Sequence, residues 1–447
     1  MTQISETVPT APRRRILVSL WALGALLRLL FVGLEPETSP VADETMWLMA
    51  LSRIPAAHFS PFSNYPIFHP PLYPYFLATL QALGAGLLAT KLVQALIGSL
   101  LVPAIFRIAL RVFGPRAAVV AGLIVAGYPD LIWYSAHFWC ETLFLSLFWW
   151  AIERVMAAEE TSSRRAAVMA GLLFGLAVLT RETLLYVIPF PVLWLAVSKS
   201  RSCGALAALT LTVALLVIAP WTLRNWIQFH AFIPVSTGGG LNLYQGNAEI
   251  PRGEVYNEYY ANEGKVDQFR WARAEGIKAI LRRQPGWLFE KIRDEAPRLA
   301  ELDSLALIHL RRGAYQNPTC GGYRAVAGVV LVPWILVALG SVLALSRAPA
   351  TRPVALLIAI LVVYLLLHIA THGFSRYRLP VVPVLIVFAA SLVSVGRARA
   401  GRRARPAILV AMAFALGLLW MPSFRDQLGH LGFAPPPTYE GFARVCP

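Results

Sequence analysis

Charge is what this chain is short of. Of its 447 residues 14% are Asp, Glu, Lys or Arg and 57% are hydrophobic, whereas soluble proteins average about 25% charged residues. The deficit excludes an ordinary soluble domain. Several apolar runs near the ~20-residue spanning length point instead to an all-α polytopic membrane protein. Acids are scarcer still, 24 against 40 bases, for a net charge of +16. The positives lie between apolar runs, so membrane topology explains them and no nucleic-acid partner is expected.

Cysteine is sparse as well. Cys140, Cys203, Cys320 and Cys446 show no CxxC or metal spacing. Cys320 and Cys446 fall in segments placed outside, which leaves a disulfide open, although free thiols are the expected state. No HExxH-type zinc signature is present. Gly238–Gly240 lack the strand, Lys and Ser/Thr of a phosphate loop, which excludes nucleotide binding there. No internal repeat is visible, and repeated halves are a common mark of transporters.

The apolar runs predict about eleven spans, at 16–34, 88–106, 117–133, 138–156, 167–185, 184–198, 204–221, 325–346, 354–370, 379–395 and 407–421. The first follows Arg13-Arg14-Arg15, lacks a small-residue cleavage site and reads as a retained anchor. The fifth and sixth share an edge. The proline-bearing run 70–86 reads as a re-entrant or interfacial piece. Arg13–Arg15, Arg107, Arg111, Arg116, Arg154, Arg164, Arg165, Arg347, Arg352 and the arginines of 397–405 then fall on one side. By the positive-inside rule that side is cytoplasmic. The Asp43 loop, the 222–323 segment and the C-terminal tail face out. Three parts follow: a transmembrane module at 1–221, an extracytoplasmic helical segment at 222–323, and a second transmembrane module with tail at 324–447. Within the middle part 236–260 reads as loop. Two amphipathic helices are expected near 266–283 and 286–301, parted by Pro285.

The polar residues that remain are few and concentrated on the outer face. Asp43 and Glu44 sit at a helix start, signalled by Ser39 and Pro40. An N-cap and dipole role alone explains an acid there. The alternative is a general base at the lipid–water boundary, and Asp43 is the better candidate. Adjacent helical side chains diverge by about 100°, so Glu44 is not its matched partner. Arg28, Arg181, Arg224, Arg376 and Arg378 lie in or beside the outer face. A cation there needs water or an anion. Arg28 and Arg224 are as readily explained by snorkelling. A lipid phosphate suits the rest, since guanidinium grips phosphate bidentately. His69, before two prolines, either donates to phosphate or ends a helix. Glu141 is either a site residue or a helix-start acid. Tyr65, Tyr73 and Tyr75 are interfacial-belt residues or ligands. Gly171 and Gly175 form a GxxxG suited to helix packing. His137, His368 and His372 read as structural.

The motifs HPPLYPYFLA, YPDLIWYSAHFWCETLF, GLLFGLAVLTRETLL, PWTLRNW, PVSTGGGLNLYQGN and SRYRLPVVP then follow the Asp43-Glu44 loop in order. Over roughly residues 15–395 this order resembles the bacterial GT-C-type membrane glycosyltransferases, relatives of the protein O-mannosyltransferases and the lipid A aminoarabinose transferases. The resemblance implies a GT-C fold and inverting transfer of one sugar. The donor would be a polyprenyl-phosphate-linked sugar, and the acceptor a hydroxyl of a lipid, glycan or protein outside the bacterial inner membrane. By motif position Asp43 and Glu44 would be catalytic. His69, Arg181, Arg376 and Arg378 would hold carrier phosphate. Tyr65, Glu141, Asn242 and Tyr244 would contact sugar or acceptor. Glu182 and Asp130 depart from the family pattern. A divalent cation is left open. The rival readings are a transporter or flippase of lipid-linked sugars, and an oligosaccharide ligase or polymerase.

Overall fold

The computed structural model describes residues 10–35, 40, 43–53, 67–198, 200, 202–251, 253–315, 319–394 and 406–431. Tyr65 and Cys446, both singled out above, lie outside the described residues. All regular structure among the described residues is helical, because a segment in lipid must satisfy its own backbone hydrogen bonds.

Helix α1 (Thr10–Leu34) leads to two short outer helices, α2 (Asp43–Arg53) and α3 (Leu72–Ala82). Next come α4 (Leu87–Ser99) and α5 (Leu101–Phe113) as one rod. Helices α6 (Pro115–Gly127) and α7 (Pro129–Ala136) form a second rod, bent by 45°. They are followed by α8 (Glu141–Thr161), α9 (Arg164–Thr180), α10 (Pro189–Ala196) and α11 (Ser202–Phe229). The outer segment holds α12 (Gly238–Asn247), α13 (Val255–Ala261), α14 (Lys265–Arg282), α15 (Trp287–Ala300) and α16 (Leu305–Arg311). Helices α17 (Cys320–Leu345), α18 (Arg352–Ala370), α19 (Val382–Ser391) and α20 (Pro406–His430) come last.

Six helices among the described residues are long and apolar enough to cross a membrane, or seven with the bent pair. The chain is a multi-pass membrane protein. The stretches expected to span at 138–156, 167–185, 184–198 and 407–421 are largely helical, but composition and length alone do not mark them as crossing. Helix α8 carries Glu141, Glu153, Arg154, Glu159 and Glu160, and α9 has only 17 residues. The shared edge of the fifth and sixth runs is resolved by a break at Arg181, whose backbone is extended (φ −149°, ψ 108°). Helix α3 has 11 residues, about 16 Å of rise against a ~30 Å hydrocarbon core. It packs Tyr73 and Leu77 on Trp47 and Phe138.

Two local features shape the outer end. Pro129 has no N–H to give the Val125 carbonyl, so the α6–α7 rod bends there. Arg28 of α1, fully buried, fills the gap by donating to the carbonyls of Val125 (3.2 Å) and Ala126 (3.2 Å). It neither snorkels nor faces a phosphate. Arg224 is buried too, over the rings of Trp221 and Phe229. The GxxxG of α9 lets that helix close on α11, with Gly171 and Gly175 against Thr210, Val213, Ala214 and Val217.

The outer segment corrects one expectation. Residues 238–247 and 255–261 are helical where loop was expected. The three glycines lowered the helix expectation, but they are there for close approach. A Cβ at Gly238 would lie 2.8 Å from the Phe68 carbonyl, one at Gly239 2.6 Å from Glu182 Oε1, and one at Gly240 2.8 Å from the Phe269 ring. Helices α14 and α15 match the two amphipathic helices expected on either side of Pro285. Cys320 is disulfide-bonded, against the expected free thiol, whereas Cys140 and Cys203 are free.

Candidate active site

Asp43 opens α2 and reaches a residue far along the chain. Its Oδ2 accepts a hydrogen bond from Arg376 Nη1 at 2.6 Å. No such bond involves Oδ1 among the described residues. Arg376 lies on the 3-10 turn Ser375–Val381 that precedes α19. Aromatic rings enclose it: its Cζ is 5.1 Å from the Trp139 ring centroid and 5.0 Å from that of Tyr377. Burial pushes the Asp43 carboxyl up, but the Arg376 guanidinium outweighs it and holds the group below its ordinary value. Asp43 is therefore a carboxylate at neutral pH.

A second ion pair lies across the same ring. Arg181 ends α9 where the helix breaks, and its Nη1 donates to Glu141 Oε1 at 2.7 Å. Its Cζ is 5.1 Å from the Tyr377 centroid. Two guanidiniums thus flank one phenol ring, each with its own carboxylate, a placement favourable for cations. Glu141 lies in the first turn of α8, a helix-start acid that is also the partner of Arg181.

The remaining candidates fall into different surroundings. Glu44 is buried and braces α2 against the corner between α7 and α8, its Oε1 accepting from the Phe138 N–H at 2.9 Å. His309 Nε2 lies 3.9 Å from Glu44 Oε2. His69 sits beside Trp47, with ring centroids 4.7 Å apart, and its Nε2 has no partner among the described residues. Burial lowers its pKa to about 4, so His69 can offer phosphate a hydrogen bond but no charge. Arg378 stands apart from Arg376 although it is only two residues on. It donates to the carbonyls of Glu301 (2.6 Å) and Asp303 (2.5 Å) and stacks on Trp334. Its expected phosphate role meets donors already spent on backbone. Tyr244 gives its hydroxyl to Glu258 and packs on Trp271. Asn242 is half-buried on the same helix.

Sequence reasoning passed over the aromatic enclosure of Arg376, although Tyr377 stands between Arg376 and Arg378 in the motif itself. Tyr256 of α13 was also missed. Burial pushes its hydroxyl above the ordinary value, with smaller contributions from the Tyr377 and Asp43 charges. Glu182 turns away from it. Its carboxylate accepts from Ser236 and from the Gly239 backbone, and so docks the glycine-rich start of α12. On that side lies a cavity of about 300 Å³ lined by Glu182, Tyr186, Phe232, Ser236, Phe269 and Arg273. Tyr186 and Phe232 are largely exposed there. Among the described residues no group of three His, Cys, Asp or Glu side chains could hold a metal.

The arrangement of helices and outer loops defines a class. The chain has the GT-C fold of membrane glycosyltransferases. Residues 68–223 match the dolichyl-phosphate-mannose-protein mannosyltransferase family. The structure is similar to the Archaeoglobus fulgidus oligosaccharyltransferase solved with Zn and sulfate (TM-score 0.53, 15% identity, 95% of this chain and 54% of that one). It is also similar to ArnT from Cupriavidus metallidurans bound to undecaprenyl phosphate (TM-score 0.53, 16% identity, 94% of this chain and 66% of that one). The chain thus spans little more than half the length of the first and just under two thirds of the second. What these likenesses define is the fold. No curated protein matches the sequence.

Proposed function

We propose that this protein is an inverting glycosyltransferase that moves a single sugar from a polyprenyl-phosphate carrier to an acceptor hydroxyl. The observation that carries this reading is the Asp43–Arg376 pair, which joins the first outer loop to a turn 333 residues later. A carboxylate able to accept a proton and a guanidinium able to hold phosphate are thereby set side by side. The basic ends of the other connections support a site on the non-cytoplasmic face, in a bacterium the periplasmic face of the inner membrane. ArnT, with the same fold, binds undecaprenyl phosphate, which supports the carrier class.

The chemistry follows from the two ion pairs. The donor phosphodiester competes for Arg376 and Arg181, as anions do wherever guanidinium forks are presented. As Arg376 turns to phosphate, Asp43 is released from its partner and becomes a better base. The acceptor oxygen attacks C1 from the face opposite the phosphate, and its proton passes to Asp43. The C1–O bond to phosphate breaks, and polyprenyl phosphate leaves as a dianion held by the arginines. Neutral His69 adds a hydrogen bond to a phosphate oxygen. The Tyr256 side of the outer helices contacts the acceptor, and the cavity beside Glu182 gives an amphipathic substrate a place at the interface.

The test is transfer from labelled polyprenyl-phospho-sugar in membranes. Asp43→Asn is expected to abolish it, and undiminished turnover would remove Asp43 from the mechanism. Mass spectrometry of envelope glycolipids and glycoproteins with and without the gene would identify sugar and acceptor together.

A further inference from the structure

Arg376 sits on the turn Ser375–Val381, joined to the end of α18 by a short link. Residues 371–374 form that link and run through Gly373. What holds that link is a buried ion pair on α15, outside the bundle. Lys291 and Glu295, one helical turn apart, have side chains only 3% and 4% exposed. Lys291 Nζ donates to the Thr371 carbonyl at 3.3 Å and to the Gly246 carbonyl at 2.5 Å. Glu295 Oε2 accepts from the Gly373 N–H at 2.9 Å. From α12, Asn247 Nδ2 donates to the Ala370 carbonyl at 3.0 Å. Gly246 is pressed so closely on Thr371 that a Cβ there would overlap the Thr371 carbonyl.

Burying two opposite charges is costly, and an ion pair of this kind is poor evidence of stabilisation. Here the charges are spent on the backbone of the one segment that leads into Arg376. We infer that Lys291 and Glu295 are positioning residues: through the 371–373 backbone they fix Arg376 where it meets Asp43, and with it the carrier phosphate. This rests on the phosphate role proposed for Arg376. It makes the outer helices part of donor binding as well as a cover over the acceptor. A guanidinium misplaced by about 1 Å can forfeit up to about a hundredfold in a positioned reaction.

The test is a double-mutant cycle on purified protein in nanodiscs, with undecaprenyl phosphate as the probe and its Kd as the readout. Replacing the pair by apolar groups, Lys291→Met with Glu295→Leu, is expected to raise Kd about 10-fold. In an Arg376→Ala background the same change should alter Kd by less than about 2-fold, since its route to the phosphate is gone. Equal losses with and without Arg376 would overturn the inference, because the pair would then act by general destabilisation. So would an unchanged Kd in a variant that melts as the wild type does. Glu295→Gln keeps the size of the side chain, weakens its hold on the Gly373 N–H, and replaces the double variant should that fail to fold. If Arg376→Ala itself leaves Kd unaltered, the phosphate reading of the site falls first, and this inference with it.

Discussion

The two ends of α8 use the same kinds of residue to opposite effect. At the basic end Glu153 is fully buried and gathers guanidiniums: Arg111 Nη1 at 2.6 Å, Arg107 at 3.8 Å, and Arg154 as well. Arg111 also reaches Glu160 at 2.9 Å, while Arg107 and Arg154 both lie over Trp150. One acid serves several cations, and the cluster closes on itself. At the other end, about 18 Å of helix from Glu153 to Glu141, the pairs are one to one, Glu141 with Arg181 and Asp43 with Arg376. There His69 Nε2 lacks a partner. Buried polar groups left with bonding capacity are costly, and their gathering at one end is what distinguishes a site from a fastening.

The contrast can be broken by substitution, beginning with the largest effect. Asp43→Asn should lower transfer by about 10²- to 10⁴-fold while leaving the melting temperature close to that of the wild type. A large fall in melting temperature would make Asp43 a fastening like Glu153. Glu153→Ala should do the reverse. It leaves partly exposed guanidiniums without their shared acid and should cost about 1.5–3 kcal/mol of stability, with transfer per folded molecule unchanged, as read by melting and by specific activity. Arg378→Leu strips donors from the carbonyls of Glu301 and Asp303 and should cost about 3 kcal/mol, again without loss of carrier affinity. A carrier Kd raised as far as in Arg376→Ala would return Arg378 to the site.

The smallest effect concerns pH. His69 has a folded value of about 4, below its ordinary 6.5. As pH falls the unfolded chain takes up the proton first, so stability drops between about 6.5 and 4 and is unaffected by this group above that range. His69→Gln should therefore shrink the loss of melting temperature between about pH 7.5 and pH 5. It should leave the pH–rate profile without a change near 6.5. A profile limb at that pH that vanishes in the variant would mean that His69 carries charge in the working site.

How much of this was legible in the sequence depended on range. Hydrophobic period and charge placement are local, and they located the helix start at Asp43 and the two amphipathic helices. Asp43 and Arg376 stood out because ionisable groups are rare in such a chain. Their pairing could not be read, since nothing local links positions 333 apart. Arg376 and Arg378 were indistinguishable by type, and only the fold sends one to a carboxylate and the other to backbone carbonyls. The glycines of 238–240 misled because propensity counts what a residue costs a helix and is blind to Phe68, Glu182 and Phe269 pressing against it. A further cluster went unnoticed, in which Glu35 accepts from Tyr315 at 3.0 Å and meets His137 at 3.0 Å. Its signal was an acid just past the first apolar run.

The bend at Pro129 has a bearing on how the molecule is made. The carbonyls it leaves open are met by Arg28, which leaves the ribosome about a hundred residues earlier. The guanidinium is thus synthesised before the carbonyls it meets in the fold. Were the first helix removed, translation would deliver a broken span with two bare carbonyls into lipid, where no water can take the missing donor's place.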